Sequence, residues 1–288
     1  MHASDIERAV GAAKEVASEL GLPAADAMTL HNSNKLALRL LPCDVFARVA
    51  YAGFEQFETE LEIGRKLAEV DAPVASLEPR VEPRAYERHG FAITFWTYYG
   101  QEPQEVPPAD YAKALERLHA GMAKVETSVP HFSQRVAEAQ ELVASPNRTP
   151  ALEGSDRELL ASTLRTQRRA ITERSAAEQL LHGEPHAGNM VNTKAGPLFI
   201  DLETCCRGPV EFDLAHVPEE VSEGYAGADQ ELLRTCRLLV LAMVAAWRWD
   251  QDDQYPNGKR AGQELLGALW AGPPWPTLDV VTPGSPPR

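Results

Sequence analysis

The chain has 288 residues, of which 44% are hydrophobic and 24% are charged, so it is long enough for one large domain or two lobes. A formal net charge of −14 at pH 7 disfavours binding to nucleic acids or anionic membranes and favours cationic small molecules. The four cysteines lack a Cys-x-x-Cys spacing and no segment has the apolar length of a membrane span, so we expect reduced thiols and a cytoplasmic protein.

The N-terminal segment predicts an amphipathic helix. Ser4 and Glu7 form a capping-box pattern, in which the two side chains satisfy each other's backbone amides. Apolar residues then recur at helical spacing from Ile6 until Gly21, which ends the run. A second apolar stripe, from Phe54 to Val70, predicts another helix whose acidic residues lie on its other faces.

Between these two helices the sequence predicts a β-hairpin. Short apolar runs over residues 36–41 and 45–50 flank a Pro-Cys-Asp turn, and Arg48 lies on the second run between apolar neighbours. The polar stretch before the hairpin, residues 31–35, includes Asn34. It is a candidate loop over phosphate groups, although any polar turn has a similar composition.

The middle of the chain predicts a strand followed by helices. The run from Phe91 to Gly100 is β-rich and ends at a proline-rich stretch, so it predicts a hinge between two lobes. Its aromatic part comprises Phe95, Trp96, Thr97 and Tyr98. Helical spacing predicts helices over residues 112–122, over about 156–180 and, as a buried helix, over 232–249. The proline-rich end, residues 282–288, is predicted to be disordered.

Most of the chemistry lies in residues 181–201. This stretch begins Leu-His-Gly-Glu-Pro-His-Ala-Gly-Asn and ends in an apolar run that leads to Asp201. Phosphoryl transfer requires a carboxylate beside the attacking hydroxyl, an oxygen ligand for a divalent cation and a second carboxylate on that cation. Glu184, Asn189 and Asp201 can fill these roles. A His-Gly-Glu triplet alone would instead indicate an ordinary surface turn, and the agreement at several spacings favours the catalytic interpretation.

The order of these residues resembles the catalytic loop and metal-binding strand of the aminoglycoside phosphotransferase family. The segment from Leu202 through a Gly-Pro turn to an Asp-Leu-Ala helix start at Asp213 is also similar. One departure is that the usual aspartate of the family is Glu184 here. The resemblance implies an α+β, two-lobed protein-kinase-like fold, with a small β-rich lobe at residues 1–100 and a larger, mostly helical lobe at residues 101–281.

The resemblance also implies roles on the catalytic side. Glu184 would orient the acceptor hydroxyl and accept its proton, while His182 braces the loop. Asn189 and Asp201 would hold Mg²⁺. Asp213 would support the loop, although the same carboxylate is equally suited to capping a helix.

On the nucleotide side, Arg48 would position the phosphates of ATP and pair with Glu60, as a strand cation and a helix carboxylate do in kinases. GTP is an alternative donor. Arginine in place of the usual lysine binds two oxygens in a fixed fork and stays charged. The segment from Phe95 to Tyr98 would border the adenine, and Asn34 would approach the phosphates. A surface ion pair and an ordinary core strand are the alternative interpretations.

The acceptor is less defined by the sequence. The resemblance places its site between the catalytic loop and the last helices, where acidic and aromatic side chains are the candidates. They are Glu203, Glu220, Trp249, Asp250 and Asp253. A negative wall suits an aminated acceptor, but solvated helix faces explain the same acids, and the tryptophans are equally suited to core packing.

We therefore expect a small-molecule kinase, either a monomer or a homodimer, that phosphorylates a hydroxyl on an aminoglycoside-like or other aminated or sugar acceptor. Such an enzyme would have a role in antibiotic resistance. One alternative is a metabolite kinase acting on choline, an amino alcohol or a sugar. Another is a nucleotide-binding module without catalysis, because glutamate at residue 184 adds a methylene where geometry determines the rate.

Overall fold

A computed structural model describes residues 1–32, 35–53, 56–255 and 257–281. The helices are α1 (Ala3–Glu19), α2 (Gln56–Glu69), α3 (Pro108–Met122), α4 (Phe132–Ala144), α5 (Gly154–Glu173), α6 (Val210–Leu214), α7 (Glu219–Glu223), α8 (Gln230–Arg248), α9 (Gly258–Ala271) and α10 (Leu278–Val281). The strands are β1 (Ala24–Asn32), β2 (Leu36–Pro42), β3 (Val45–Tyr51), β4 (Tyr86–Arg88), β5 (Phe91–Thr97), β6 (Gln179–Leu181), β7 (Met190–Thr193), β8 (Gly196–Phe199) and β9 (Cys206–Gly208). None of these helices is long and apolar enough to cross a membrane.

The chain forms two compact units. Among the described residues, the first comprises residues 1–105 and 189–203, and the second comprises residues 106–188 and 204–281. The sequence predicts a first lobe over residues 1–100 and a second over residues 101–281. The structure places residues 189–203 in the first unit, because the β7–β8 hairpin bonds there: Phe199 donates to the carbonyl of Pro73 and accepts from the amide of Ala75.

The first unit is built on an antiparallel sheet in the order β1-β2-β3-β5-β4. Alternation along β2 and β3 directs apolar side chains to one face, where they meet the buried stripe of α1. The opposite face carries Arg48 and receives α2. Phe57 of that helix is completely buried against Ala50 and Ala92, and Gly64 lies against the ring of Trp96.

The second unit is helical and centres on α8. Apolar residues are buried along most of the length of α8, because α4, α5, α6 and α9 all pack against this helix. Asp229 caps its N-terminus by accepting hydrogen bonds from the amides of Glu231 and Leu232. The short strands β6 and β9 pair with each other and so hold together the two chain segments that flank residues 182–205.

Most of the predicted elements are present. The opening helix, the hairpin, the second helix, the strand from Phe91 and the buried helix over residues 232–249 correspond to α1, β2–β3, α2, β5 and α8. The helix predicted over about 156–180 ends at Glu173, because the chain then extends to form β6.

Two expectations at the N-terminus were wrong. The capping box does not form, because α1 begins at Ala3 and Ser4 lies inside its first turn; the cap residue is His2, which makes no side-chain capping bond. Residues 31 and 32 belong to a strand, β1, which the sequence did not indicate because most of its side chains are exposed and alternate poorly. The predictions for Asn34, Phe54 and residues 282–288 lie outside the described residues.

Candidate active site

The β7–β8 hairpin brings the two predicted metal ligands to the same place in the first unit. Asn189 and Asp201 lie just outside its two strands, where Met190 pairs with Phe199 and the amide of Ile200 donates to the carbonyl of Asn189 at 2.9 Å. The spacing between the two residues is therefore set by the length of the hairpin. Asp201 adopts a left-handed backbone with φ of 68°, a conformation that aspartate tolerates better than most residues.

Asp201 is part of a buried group of charges in the first unit, which we call the cation cluster: Lys35, Arg48, Glu60, Asp201 and Glu203. The Arg48 guanidinium donates to Glu60 and, at 2.6 Å, to Oδ1 of Asp201. The Lys35 ammonium donates to Glu203 and, at 3.4 Å, to the same oxygen of Asp201. Both cations thus converge on one carboxylate oxygen.

Register explains why Arg48 can make these contacts. Its neighbours Ala47 and Val49 face the core beneath α1, so Arg48 faces the side of the sheet that carries α2. Glu60 projects from that helix and is almost completely buried. Its Oε1 also accepts from the amide of Leu202 at 3.2 Å. The residue after Asp201 is therefore tied to the same carboxylate as Arg48.

The charges in this cluster determine its electrostatics. Burial alone would lower the pKa of Arg48, but Glu60, Asp201 and Glu203 raise it, so the guanidinium stays charged. Burial and the neighbouring Asp201 raise the pKa of Glu203, against the opposing effect of Lys35. Among the described residues of the cluster, three carboxylates share two cations, which leaves an excess of negative charge.

The donor set suits a hard divalent cation. Asn189 and Asp201 present amide and carboxylate oxygens, the ligand types that Mg²⁺ prefers. Within residues 1–32, 35–53, 56–255 and 257–281, no group of three or more His, Cys, Asp or Glu side chains is placed to hold a metal ion by itself. Mg²⁺ commonly uses one or two protein ligands together with water and phosphate oxygens, so the two residues fit this mode.

Two members of the cluster differ from the sequence analysis. Lys35 was not singled out, because it ends a polar run that looks like any turn; its position immediately before the first buried residue of β2 was the available signal. Glu203 was predicted to face an acceptor. The structure instead places it in the first unit, beside Lys35.

The predicted adenine segment has mixed surroundings. Phe95 is buried in the core beneath α1, whereas Trp96 faces the opposite side of β5 and contacts Gly64 of α2. Thr97 donates through its hydroxyl to the carbonyl of Leu77 at 3.3 Å. The ring of Tyr98 lies under the guanidinium of Arg39, at 4.3 Å from the ring centroid. The side chain of Phe95 thus belongs to the hydrophobic core, and contact of this segment with the adenine stays a prediction.

In the second unit, Asp213 organises the predicted catalytic loop, residues 182–188. This fully buried carboxylate accepts from the amide of His182 at 2.9 Å and from the amide of Gly183 at 2.8 Å. It also contacts Nε2 of His119 at 3.1 Å. Burial would raise the pKa of Asp213, but the hydrogen bond and charge of His119, with His182 and His216, lower it. Asp213 therefore supports the loop and does not cap its own helix, which begins after Pro209.

Gly183 is required by the tight turn of this loop. Its φ is 89°, and a Cβ atom at this position would lie 2.1 Å from the carbonyl oxygen of Thr204. The Thr204 hydroxyl in turn donates to the carbonyl of His182 at 3.0 Å. The Tyr111 hydroxyl of α3 donates to the carbonyl of Pro185, so the loop is also held at the residue that follows Glu184.

Glu184, the predicted catalytic carboxylate, forms an ion pair with Arg135 of α4. Burial would raise the pKa of Glu184, but Arg135, with His186 and His216, lowers it to about 2. The side chain is therefore a carboxylate at any physiological pH. Arg135 was not identified from the sequence, because nothing in a helical Gln-Arg-Val run indicates a distant partner.

The remaining predicted acceptor residues lie in the second unit. Glu220 is exposed on α7, and the indole nitrogen of Trp249 lies where α8 meets Gly262 of α9. Asp250 pairs with Arg148, and Asp253 lies 3.1 Å from the guanidinium of Arg248. The predicted negative wall is thus partly neutralised by arginines, and its role toward an acceptor stays a prediction.

Comparison with known proteins places these features in context. The sequence model of the Phosphotransferase enzyme family matches residues 38–239. No curated protein sequence matches the chain closely enough to count as a relative.

Solved structures of similar fold include three small-molecule kinases. Amicoumacin kinase hAmiN, in complex with AMP-PNP, Ca²⁺ and Ami, aligns with a TM-score of 0.69 at 11% identity, covering 96% of this chain and 98% of that one. Choline kinase LicA from Streptococcus pneumoniae aligns with a TM-score of 0.65 at 13% sequence identity, covering 90% of this chain and 98% of that one. Aminoglycoside phosphotransferase APH(3'')-Id from Streptomyces rimosus aligns with a TM-score of 0.61 at 17% sequence identity, covering 80% of this chain and 96% of that one. At these identities the likeness shows a protein-kinase-like fold.

Replacement of Asp213 tests its support of the loop. We expect Asp213→Asn to lower the free energy of unfolding by about 1–3 kcal/mol at pH 7, because a buried backbone amide loses its acceptor. Urea denaturation measures this, with Asp110→Asn, a change at an exposed residue, as the control.

The stability that Asp213 contributes should depend on pH. Because the pKa of Asp213 is lowered in the folded protein, its carboxylate stabilises the fold above the unfolded pKa of about 3.9, and this contribution is lost as the pH falls through the folded pKa. The difference between Asp213→Asn and wild type should therefore shrink in acid; equal stabilities at pH 7 would contradict the assignment.

Replacement of Gly183 separates backbone strain from steric conflict. Gly183→Ala and Gly90→Ala both place alanine at a left-handed φ, but a Cβ at Gly90 meets nothing within 4 Å. We expect both variants to lose about 1–2 kcal/mol from the φ angle, and Gly183→Ala to lose about 1–3 kcal/mol more from the conflict with Thr204. Thermal denaturation of the two variants measures the difference, and equal losses in Tm would show that the loop relaxes without cost.

Proposed function

Because the chain belongs to the phosphotransferase enzyme family, we propose that it transfers the γ-phosphoryl group of ATP to a hydroxyl of a small molecule. One observation carries this proposal: the Arg48 guanidinium donates at the same time to Glu60 and Asp201. Kinase catalysis requires that a strand cation be paired with a helix glutamate and that the metal-binding aspartate be in place. The contacts among Arg48 of β3, Glu60 of α2 and Asp201, which follows β8, support assigning these roles to the three residues.

On the donor side, Arg48 and Lys35 would bind phosphate oxygens of the nucleotide. The guanidinium supplies a fixed fork of donors and the ammonium supplies a compact charge, so the two are complementary. Asn189 and Asp201 would hold Mg²⁺, which when bound neutralises charge on the phosphates. Glu60 would keep Arg48 oriented, since its own Oε1 is fixed by the amide of Leu202.

On the acceptor side, Glu184 would orient the attacking hydroxyl by accepting its hydrogen bond. A carboxylate with a pKa of about 2 is a weak base. It would take the proton as the oxygen bonds to phosphorus, which suits a transition state that depends on positioning and charge more than on early deprotonation. The hydrogen bonds from the amides of His182 and Gly183 to Asp213 would fix the backbone that precedes Glu184.

The class of acceptor is a finer part of the proposal. The kinases of similar fold are named for amicoumacin, choline and an aminoglycoside, so a hydroxylated, often aminated molecule is the starting expectation. The pairing of Asp250 and Asp253 with arginines favours acceptors with little positive charge over polycations. A metabolite kinase acting on a choline-like or sugar-like compound is thus the second candidate beside a resistance enzyme acting in the cytoplasm.

The proposal is tested by an acceptor panel with γ-labelled ATP or GTP and Mg²⁺. Wild type should phosphorylate at least one hydroxyl compound. Asp201→Asn and Glu184→Gln should each reduce turnover by about 100-fold or more, since one removes a metal ligand and the other the carboxylate beside the hydroxyl. Asp26→Asn, an exposed aspartate of β1, is the control and should match wild type.

The variants also distinguish the alternatives. Glu184→Gln should retain nearly normal ATP affinity, because it changes the acceptor side alone. Equal turnover in wild type and Glu184→Gln would exclude the catalytic role of Glu184. Absence of turnover in both, across a broad panel and with ATP binding retained, would favour a nucleotide-binding module.

A separate prediction concerns the second cation. We expect Lys35→Met to weaken ATP binding by about tenfold or more, because a charge-assisted hydrogen bond contributes about 1.5–3 kcal/mol. Arg48→Ala should have a similar effect, whereas Lys66→Met, which alters a surface pair of α2 with Glu62, should have none. Isothermal titration calorimetry with ATP and Mg²⁺ measures the affinities. An unchanged affinity in Lys35→Met would limit Lys35 to a structural role.

A further inference from the structure

Three contacts fix the guanidinium of Arg135. One nitrogen donates to Oε1 of Glu184, and another donates to the carbonyl of Gly183 at 3.3 Å. The guanidinium carbon lies 5.2 Å from the ring centroid of Trp247, a distance at which a cation is attracted to the aromatic face. The carboxylate and the backbone of the loop are therefore held by the same side chain, which projects from the rigid helix α4.

The pair is shielded enough for this contact to matter. The side chains of Arg135 and Glu184 are 16% and 23% exposed, unlike the surface pairs of the chain, and a partly buried pair is screened less by water and salt. Glutamate has one more rotatable bond than aspartate, so an unrestrained carboxylate at this position would sample more orientations. The Arg135 contact removes this freedom.

Other charged groups act on the same carboxylate. His186 of the loop and His216 after α6 favour its ionised form, and the negative charge of Glu184 in turn acts on Arg248 of α8 and on the Cys206 thiol of β9. Glu138, one turn along α4, acts on Arg135. Arg135 donates a hydrogen bond directly to the Glu184 carboxylate.

We propose that Arg135 is a positioning residue, matched to the length of glutamate, which holds the Glu184 carboxylate where the acceptor hydroxyl binds. This inference rests on the proposed function and explains the departure at residue 184. The longer side chain reaches a partner on α4, and the partner restores the orientation that a shorter aspartate would have by itself. Glu184→Asp, although it supplies the family's usual acid, withdraws the carboxylate from Arg135 and lowers activity.

The kinetic test uses Arg135→Gln, Arg135→Lys and Glu184→Asp with the acceptor found in the panel. Arg135→Gln should lower kcat by about 100-fold and leave the KM for ATP nearly unchanged, since misplacement of a reacting group by about 1 Å has an effect of this size. Arg135→Lys should recover part of the loss, because it keeps the charge without the fork. Glu184→Asp should be slower than wild type by about tenfold; equal or faster turnover would overturn the matched-length proposal.

A double variant distinguishes positioning from an independent role. If Arg135 acts through Glu184, then adding Arg135→Gln to Glu184→Gln should produce little further loss. A further loss as large as that in the wild-type background would show that Arg135 acts elsewhere, and would overturn the proposal. Arg237→Gln is the matched control, because Arg237 is similarly buried and pairs with Glu219 in the same unit. It should alter stability without changing kcat.

The titration of Glu184 gives a readout that does not depend on turnover. Carbon-13 NMR of the labelled glutamate carboxylate should show a pKa well below the ordinary value in wild type and Arg237→Gln, and a higher pKa in Arg135→Gln. The acidic limb of the kcat/KM profile should move to higher pH in that variant alone. An unchanged Glu184 pKa in Arg135→Gln would overturn the pairing, whereas a shifted pKa in a chain that phosphorylates no acceptor would overturn the proposed function and leave the pairing in place.

Discussion

A carboxylate that is withdrawn from water must be compensated inside the protein, and this constraint shapes both units of the chain. An uncompensated buried charge costs several kcal/mol, which is comparable to the whole stability of a domain. Three solutions occur here. Asp201 shares one oxygen between two cations, Asp213 accepts hydrogen bonds from two backbone amides and contacts His119, and Glu184 pairs with Arg135. Each solution also fixes the carboxylate in space.

These compensating groups differ in what they leave available for chemistry. The partners of Asp213 are two amides of the loop and the His119 ring of α3, so this carboxylate is engaged in holding the loop backbone. The partners of Asp201 are two cationic side chains, Lys35 and Arg48, which are also suited to phosphate oxygens. A nucleotide that brings its own negative charge would therefore replace one set of ionic contacts with another. Groups arranged in advance of substrate binding reduce the reorganisation that the reaction requires.

The backbone supplies the remaining constraint. The loop of residues 182–188 belongs to the second unit, residues 189–203 belong to the first, and Thr204 returns the chain to the second. The β7–β8 hairpin brings together the backbone of the two predicted metal ligands, Asn189 and Asp201, and Asp201 has a left-handed backbone conformation. The spacing between Asn189 and Asp201 thus has a physical origin in strand pairing, and the glycine at residue 183 has one in a turn that admits no Cβ.

The sequence by itself determined those features that depend on short-range pattern. Helical and alternating periodicity predicted α1, α8 and the β2–β3 hairpin, and the order of Glu184, Asn189 and Asp201 supported the family resemblance that implied the kinase-like fold. Pairing between distant residues left no such pattern. Lys35 is far along the chain from Asp201, Arg135 is far from Glu184, and Glu203, which was predicted as an acceptor residue, accepts a hydrogen bond from the distant Lys35. The resemblance implied the pair of Arg48 with Glu60, which is present. For the other pairs only tertiary structure decides which cation meets which buried carboxylate, because a charge has no periodicity and its partner is selected by the packing of helices and strands around it.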